Sequence, residues 1–320
     1  WRDPIVRIEG NTNTVVQANV DLFAPIGRDP SGKERIERKS MSAWQHIRYR
    51  LFSNKLAMTG LVIIILITLL AIFVPIISPH DHFTNDLENT NQPPSWNHWF
   101  GTDDLGRDMF VRTWKGAQVS LFVGVAAALI DLVIGVVYGG IMGYYGGKVD
   151  EVMNRIAEIL YAIPYLLVVI LLLVVMEPSL TTIIIAMSIT GWINMAWIVR
   201  GQIMQLKNQE YALASRALGA GNMRILFRHL IPNAIGPIFV TLTLTVPNAI
   251  FTEAFLSFLG LGVQSPVASW GTMLNDGINA IQNYPWREFF PALFLSLTMF
   301  AFNVFGDGLR DAFDPIMRKS

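Results

Sequence analysis

The sequence predicts an all-α, polytopic membrane protein with six transmembrane helices, and two observations support this fold class. First, 52% of the 320 residues are hydrophobic and only 15% are charged, whereas about a quarter of the residues of a soluble domain are charged. Second, a helix needs about 20 apolar residues to cross the hydrocarbon core of a bilayer. The segments that approach this requirement are residues 56–77, 119–142, 156–176, 180–197, 235–259 and 289–305.

The composition also argues against several classes of function. The formal net charge is zero, which argues against a nucleic-acid partner, because nucleic-acid-binding domains are usually strongly basic. The chain has no cysteine, which excludes disulfide scaffolds, cysteine nucleophiles and thiolate metal sites. The sequence shows no Ser-His-Asp or paired-carboxylate arrangement in a plausible pocket. We therefore expect no catalytic residue, no metal site and no cofactor site in this chain.

The distribution of lysine and arginine predicts that both termini are cytoplasmic. If the N-terminus lies inside, twenty of the 24 basic residues fall in the segments that face the cytoplasm, which are 1–55, 143–155, 198–234 and 306–320. The other four basic residues lie in segments predicted to face the outside of the cell. They are Arg107, Arg112, Lys115 and Arg287. This asymmetry agrees with the positive-inside rule.

The second predicted span carries two features that a plain membrane anchor lacks. Gly135, Gly139 and Gly143 recur every four residues, which allows another helix to approach closely. Asp131 lies near the middle of the span, where an ionised carboxylate is costly and should face protein or water.

The fifth predicted span carries a polar stripe, since Thr241, Thr245, Asn248 and Thr252 share one helix face. Glu253 follows near the outer end. Two interpretations stay open: these groups bond neighbouring helices, or they face a translocation pathway together with Asp131. Proline should also distort the spans, so we expect Pro247 to interrupt the fifth and Pro164 to kink the third.

The segment between the fourth and fifth spans, EYALASRALGAGNMRILFRHLIPN (residues 210–233), predicts two short helices separated at glycine. We call it the 210–233 element. Asn222 is the predicted N-cap of the second helix, and Pro232 its predicted end. This helix has an apolar face formed by Met223, Leu226, Phe227, Leu230 and Ile231.

The first helix of the element places Tyr211, Ala214, Ser215 and Leu218 on one side and ends at Gly219, where backbone freedom permits a sharp turn. Arg224 and Arg228 lie on another face of the second helix. A cytosolic loop of this length has no domain of its own to pack against. Its apolar face is therefore expected either to lie among lipid headgroups or to fit a groove on a soluble partner.

The element resembles the coupling loop of ABC importer permeases. Their pattern is E-A-A-x-x-x-G, nine residues, and then I-x-L-P. Here the corresponding residues read L-A-S (213–215), Gly219 and H-L-I-P (229–232), so the alanine, glycine and proline have the family's spacing. Leu213 replaces the leading glutamate, and Glu210, one turn earlier, is a candidate substitute.

Other stretches resemble the C-type permease subunit of oligopeptide importers. They are FGTDDLGRD (100–108), GWINMAWIVRGQ (191–202), EAFLSFLGLGVQSP (253–266), SWGTML (269–274) and GDGLRDAFDP (306–315). The resemblance covers the chain from about residue 44 to the end. It implies a first transmembrane helix and external loop over 41–118 and an ABC permease core over 119–320. Residues 1–40 lie outside the resemblance and are polar, so we expect a cytosolic extension there.

The resemblance implies an importer in the bacterial cytoplasmic membrane. This chain would pair with a homologous second permease, two cytosolic ATPases would bind ATP and Mg²⁺, and an external binding protein would deliver oligopeptides. The chain itself would be no enzyme and hold no cofactor. The residues implied to contact the ATPase are Glu210, Tyr211, Ala214, Ser215, Gly219, Met223, Arg224, Leu226, Phe227, Arg228, Leu230 and Pro232.

Alternatives to this reading concern the cargo and the class of transporter. A dipeptide or nickel importer of the same family is the nearest alternative, because composition does not indicate cargo size. A self-sufficient secondary transporter could use Asp131 and Glu253 as proton sites. Such transporters usually show inverted repeats, and no such repeat is evident in the sequence.

Three further motifs have structural explanations that we favour. G-x-x-x-x-G-K at 27–33 is followed by glutamate rather than Ser or Thr, so a phosphate loop is not expected. PHDH (79–82), with His98 nearby, offers imidazole and carboxylate groups that could bind a metal. A solvated loop is the favoured explanation. Candidate contacts with substrate or binding protein are Asp103, Asp104, Arg107 and Asp108, although turns and ion pairs within the loop are the favoured explanation.

Overall fold

The computed structural model describes residues 43–264 and 266–313, and within those ranges the regular structure is helical. The predicted N-terminal extension and the 27–33 motif lie outside the described residues. The helices are α1 (Ala43–Ser53), α2 (Lys55–Ile77), α3 (Met109–Tyr145), α4 (Gly147–Ala162), α5 (Tyr165–Val175), α6 (Leu180–Thr190), α7 (Trp192–Leu206), α8 (Glu210–Ala217), α9 (Asn222–Ile225), α10 (Ile231–Asn233), α11 (Ile235–Phe258), α12 (Trp270–Ile278) and α13 (Trp286–Phe313). A π-helical turn, Leu226–Leu230, joins α9 to α10.

Five helical stretches in the described part are long and apolar enough to cross a membrane: α2, α3, α6 with α7, α11 and α13. A sixth exists if α4 and α5 count as one span, although they meet at an angle of 78°. The break lies at Pro164, and Ile163 before it is extended with ψ of 124°, because a residue that precedes proline avoids the helical region. The expected distortion at Pro164 is therefore confirmed.

Several helices continue beyond the apolar stretches that the sequence marks as membrane spans. α3 begins at Met109, where the Asp108 side chain accepts a hydrogen bond from the Val111 amide at 2.9 Å. α7 continues to Leu206, and α13 covers Trp286–Phe313. Caps and packing end these helices, whereas hydropathy marks only the part suited to lipid.

The expected interruption at Pro247 is also wrong. α11 runs without a break from Ile235 to Phe258, and Pro247 is buried inside it. A proline removes one backbone hydrogen bond from a helix, but neighbouring helices can hold such a helix together. α11 packs against α3, α7, α12 and α13.

The glycine repeat of α3 lies in a close helix contact, against α7. A β-carbon at Gly135 would lie 2.6 Å from the Met195 Cβ, and one at Gly143 would lie 2.7 Å from the Arg200 carbonyl oxygen. At Gly139 it would overlap the carbonyl oxygen of Ala196. The prediction of close approach along these glycines is confirmed.

We predict that Gly139→Ala lowers the stability of the protein by about 1–3 kcal/mol or more, because the methyl group must displace backbone of α7. Gly201→Ala is the matched control, since Gly201 lies in α7 with no neighbouring atom within 4 Å of an added β-carbon. The midpoint of thermal unfolding, measured on the detergent-purified proteins, compares the stability of the two variants. Equal midpoints for the two variants would contradict the assigned contact.

Candidate functional site

A polar cavity of about 250 Å³ lies among α3, α5, α6, α7 and α11. Among the predicted pathway residues, it brings together Asp131 of α3 with Thr245, Asn248 and Thr252 of α11. Thr241, the first residue of the stripe, is not among the lining residues. The structure therefore joins most of the polar stripe to the acidic residue of α3.

Asp131 is buried, with 5% of its surface exposed. Its carboxylate lies against Gly191, where even a methyl group would overlap it. Among the described residues its Oδ1 atom has no hydrogen-bond partner. The expectation that this carboxylate faces protein rather than lipid is confirmed.

Three threonines of the stripe bond their own helix. The hydroxyl groups of Thr241, Thr245 and Thr252 each donate to a carbonyl oxygen four residues earlier in α11, at 2.8–2.9 Å. The hydroxyl proton of each threonine is therefore donated within α11, and the hydroxyl oxygen can still accept a hydrogen bond. Thr245 and Thr252 line the cavity, so their oxygens are available there.

Glu253 does not belong to this cavity, contrary to its place in the predicted pathway. It is fully buried. Ser120 of α3 and Ser257 of α11 each donate a hydrogen bond to its carboxylate, at 2.7 and 2.8 Å. Glu253 therefore joins α3 to α11 and has its own partners for both oxygens.

Three polar residues of the cavity lining were missed in the sequence: Tyr165, Thr190 and Asn194. Tyr165 directly follows Pro164, and the 78° bend turns its helix toward α3 and α11. Asn194 lies within GWINMAW, where a lone amide in an apolar run was the available signal.

The 210–233 element turns at Gly219 as predicted. Gly219 has a φ of 82°, a conformation that glycine adopts without the strain of a side chain. Pro232, however, does not end the helix, because it lies inside α10 and the chain continues into α11. Asn222 is not the N-cap, which is Gly221. The Asn222 side chain instead accepts a hydrogen bond from the Tyr144 hydroxyl at 2.9 Å.

The predicted apolar face of the element is divided between two environments. Leu226 and Leu230 are fully buried within this chain, whereas Met223 and Phe227 are 53% and 47% exposed. The assumption that the loop has nothing of its own to pack against is therefore wrong. The reason is that α3 and α7 extend beyond their apolar stretches, and the buried leucines pack with their ends, at Tyr144, Val199 and Ile203.

Polar contacts fix the ends of α3 and α7 beneath this element. The Lys207 ammonium donates to the carbonyl oxygens of Gly143 and Tyr144 at 2.8 and 3.2 Å, which satisfies carbonyls at the C-terminus of α3. Arg200 donates two hydrogen bonds to Asp150 of α4. The 210–233 element thus has a rigid support, with Met223, Phe227, Arg224 and Arg228 on its exposed side.

The acidic and basic residues of the 78–108 loop fold that loop. Asp103 accepts a hydrogen bond from the Arg107 guanidinium at 2.6 Å and forms an ion pair with Arg112 at 3.4 Å. Asp108 caps α3, and Asp104 pairs with Arg287 at 3.2 Å. Asp103, Arg107 and Asp108 are buried, so of the four candidate contacts Asp104 alone has an exposed side chain.

Near this loop, burial changes the pKa of one carboxyl group, and hydrogen bonds hold two histidines. Burial raises the pKa of the Asp276 carboxyl, and the positive charge of Arg112 opposes that shift. His98 shares a hydrogen bond with Asp108 at 2.8 Å, and His80 with the Asn97 carbonyl oxygen at 2.9 Å. His80, His98 and Asp108 lie close together, and both histidines have hydrogen-bond partners in the described part of the chain.

Comparison with known proteins identifies the family. Residues 135–319 match the family described as binding-protein-dependent transport system inner membrane component. The chain belongs to this family. Residues 42–94 also match the N-terminal TM domain of oligopeptide transport permease C. The chain is therefore a permease subunit of an ABC importer and a multi-pass membrane protein.

Individual relatives of this permease cover almost its whole length. The oligopeptide transport system permease protein OppC of Bacillus subtilis is 62% identical over 299 residues, which are 93% of this chain and 98% of the relative. The dipeptide transport system permease protein DppC of the same organism is 58% identical over 89% of this chain and 90% of the relative. OppC of Escherichia coli K12 is 44% identical over 88% of this chain and 94% of the relative.

The similarity also extends further toward the N-terminus than the sequence motifs indicated. Residues 44–320 number only 277, so a match of 299 residues must reach into the first 43.

We predict that Asp103→Asn in this permease destabilises the fold by about 3–5 kcal/mol, because Arg107 and Arg112 would stay buried after losing the carboxylate with which they pair. The neighbouring Asp104→Asn is the control and should cost less, since the Asp104 side chain is 55% exposed and its partner Arg287 keeps hydrogen bonds to Asn91 and the Asp276 carbonyl oxygen. Thermal unfolding in detergent compares them. An equal loss of stability in both variants, or a loss in neither, would contradict the assigned network.

Proposed function

We propose that this permease moves oligopeptides across the bacterial cytoplasmic membrane after an external binding protein delivers them. The observation that carries the cargo assignment is 62% identity to a permease named for oligopeptide transport, over 93% of the chain. A polar cavity between apolar helices agrees with a cargo that carries charges and amide groups. The family is binding-protein-dependent, which disfavours the self-sufficient proton-coupled alternative.

A dipeptide cargo is the second candidate, because the dipeptide permease of Bacillus subtilis is 58% identical to this chain. Co-purification of the complex with its binding protein, followed by mass spectrometry of the bound ligand, distinguishes the two. Bound peptides of several residues support the oligopeptide assignment. Dipeptides alone, or a nickel ion, would replace it.

The proposed topology has six crossings with both termini in the cytoplasm. It counts α4 and α5 as one broken span and rests on the distribution of lysine and arginine. The same count places the 210–233 element inside and the 78–108 loop outside.

The proposed partners are a second, homologous permease, two cytosolic ATPases that bind ATP and Mg²⁺, and the external binding protein. The lipid bilayer surrounds the exposed apolar residues of the spans. The ATPases would contact the exposed side of the 210–233 element, at Met223 and Phe227. Leu226 and Leu230, which are buried against α3 and α7, would pass the rigid-body motion of the ATPases to the spans.

We predict from this topology that a periplasm-active reporter fused after Trp96 is active and that the same reporter fused after Gly221 is inactive. Trp96 lies in the 78–108 loop and is 95% exposed. Enzyme activity is normalised to the amount of each fusion in the membrane. The reverse pattern would overturn the proposed orientation.

We predict that Phe227→Asp separates the permease from its ATPases and leaves the permease pair intact. A charge placed in a dry contact costs several kcal/mol, which weakens association by orders of magnitude. Co-purification of the ATPases and ATP-dependent peptide uptake measure the effect.

Two variants of the same turn control for misfolding. Phe227→Leu keeps the apolar contact and should retain the ATPases. Leu226→Asp places the charge one residue earlier, inside this chain's own core, and should reduce the amount of folded permease itself. If Phe227→Asp retains the ATPases and transports normally, the exposed side of the element does not couple them.

A further inference from the structure

Asp131 and Glu253 differ in a way that burial alone does not show. Both are buried carboxylates on long apolar helices. Glu253 accepts hydrogen bonds from two serines, whereas Asp131 Oδ1 has no partner among the described residues. Because a buried polar group without a partner is costly, Asp131 requires a reason beyond packing.

A second unpartnered atom lies at the same cavity. The buried hydroxyl of Tyr165 also lacks a hydrogen-bond partner in the described part of the chain. Tyr165 and Asp131 both line the cavity but belong to different helices, α5 and α3. Two polar groups that approach one space from separate helices, each with an unused hydrogen-bonding position, are typical of a ligand site.

The remaining lining is rich in oxygen acceptors. Asn194 and Asn248 offer amide oxygens, and Thr190 and Thr252 offer hydroxyls. Asp131 is the one charged residue among those that line the cavity, so its carboxylate lacks a lysine or arginine there. An ammonium group has three donors and no acceptor and would satisfy this set.

The size and opening of the cavity limit how much of a ligand it holds. Its volume of about 250 Å³ is below the range of about 300–1,000 Å³ that drug-sized ligands occupy. Asn194 and Asn248 are exposed, so the cavity opens at the surface of the chain. One end of an extended molecule fits inside while the rest continues outside.

We propose that Asp131 and Tyr165 form a subsite for a primary ammonium group, the free amino terminus of a peptide in transit. Asp131 supplies the counter-charge, and the Tyr165 hydroxyl oxygen accepts a hydrogen bond from the ammonium group. This subsite rests on the proposed peptide cargo. It adds a recognition step inside the membrane, separate from selection by the external binding protein.

A protection experiment on the wild-type complex tests the subsite directly. Dicyclohexylcarbodiimide, a hydrophobic reagent that modifies carboxyl groups, is applied to the detergent-solubilised complex, and labelling of Asp131 is measured by mass spectrometry. A peptide with a free amino terminus should reduce labelling several-fold, and its N-acetylated form should not. Labelling of Glu253, which is sealed between α3 and α11, serves as an internal control. Equal protection by both peptides, or protection by neither, would overturn the proposal.

Transport by reconstituted complexes provides the second measurement. Asp131→Asn and Tyr165→Phe should lower uptake of the free-amine peptide, at least tenfold for Asp131→Asn. Thr68→Val, a change on α2 at a threonine that bonds its own helix and does not line the cavity, should leave uptake unchanged. Wild-type uptake rates in both cavity variants would refute the subsite and leave the peptide cargo standing. If the wild-type complex takes up no peptide at all, the proposed function itself fails.

Discussion

The packing of α3 against α7 is the contact on which the rest of the structure depends. Gly135, Gly139 and Gly143 bring the two backbones so close that a side chain at Gly139 would overlap α7. Van der Waals contact of this kind is a main source of helix association in lipid, where the hydrophobic effect between helices is absent. Near the middle of α3, this close packing brings Asp131 into contact with Gly191. At the ends of α3 and α7, it forms the surface against which Leu226 and Leu230 pack.

Polar groups inside this bundle are treated in two ways. Those that hold helices together have their partners within the chain, as Glu253 does with Ser120 and Ser257, and as Asp150 of α4 does with Arg200 of α7. The groups at the cavity do not, since Asp131 and Tyr165 each keep an atom unpaired. Membrane interiors penalise an unpaired polar group strongly, so two unpaired atoms at the same cavity leave Asp131 and Tyr165 available to a ligand.

Much of the fold was predictable because its signals are local. Apolar length indicated the spans, the four-residue glycine repeat indicated a close helix contact, and Gly219 and Pro164 indicated turns. The orientation of Leu226 and Phe227 was not predictable, since hydropathy shows that a side chain avoids water but not whether its own chain or a partner covers it. The role of Glu253 was equally hidden, because its partner Ser120 lies 133 residues away. The place of Tyr165 beside Asp131 was hidden for the same reason, because a predicted kink at Pro164 does not show which helices the following segment approaches.

The continuity of α3 and α7 relates the two candidate sites. Each helix contacts the buried side of the 210–233 element, through Tyr144 and Ile203, and each also lines the cavity, through Asp131 and Asn194. No loop intervenes along either helix. Packed helices behave as rigid bodies, and motion at one end is carried to the other as rotation or sliding rather than absorbed locally. A displacement imposed at the exposed side of the element would therefore change the distance between Asp131 on α3 and the groups opposite it on α5 and α11. This is the geometry that a transporter requires if a distant ATPase is to weaken the hold of the pathway on its cargo.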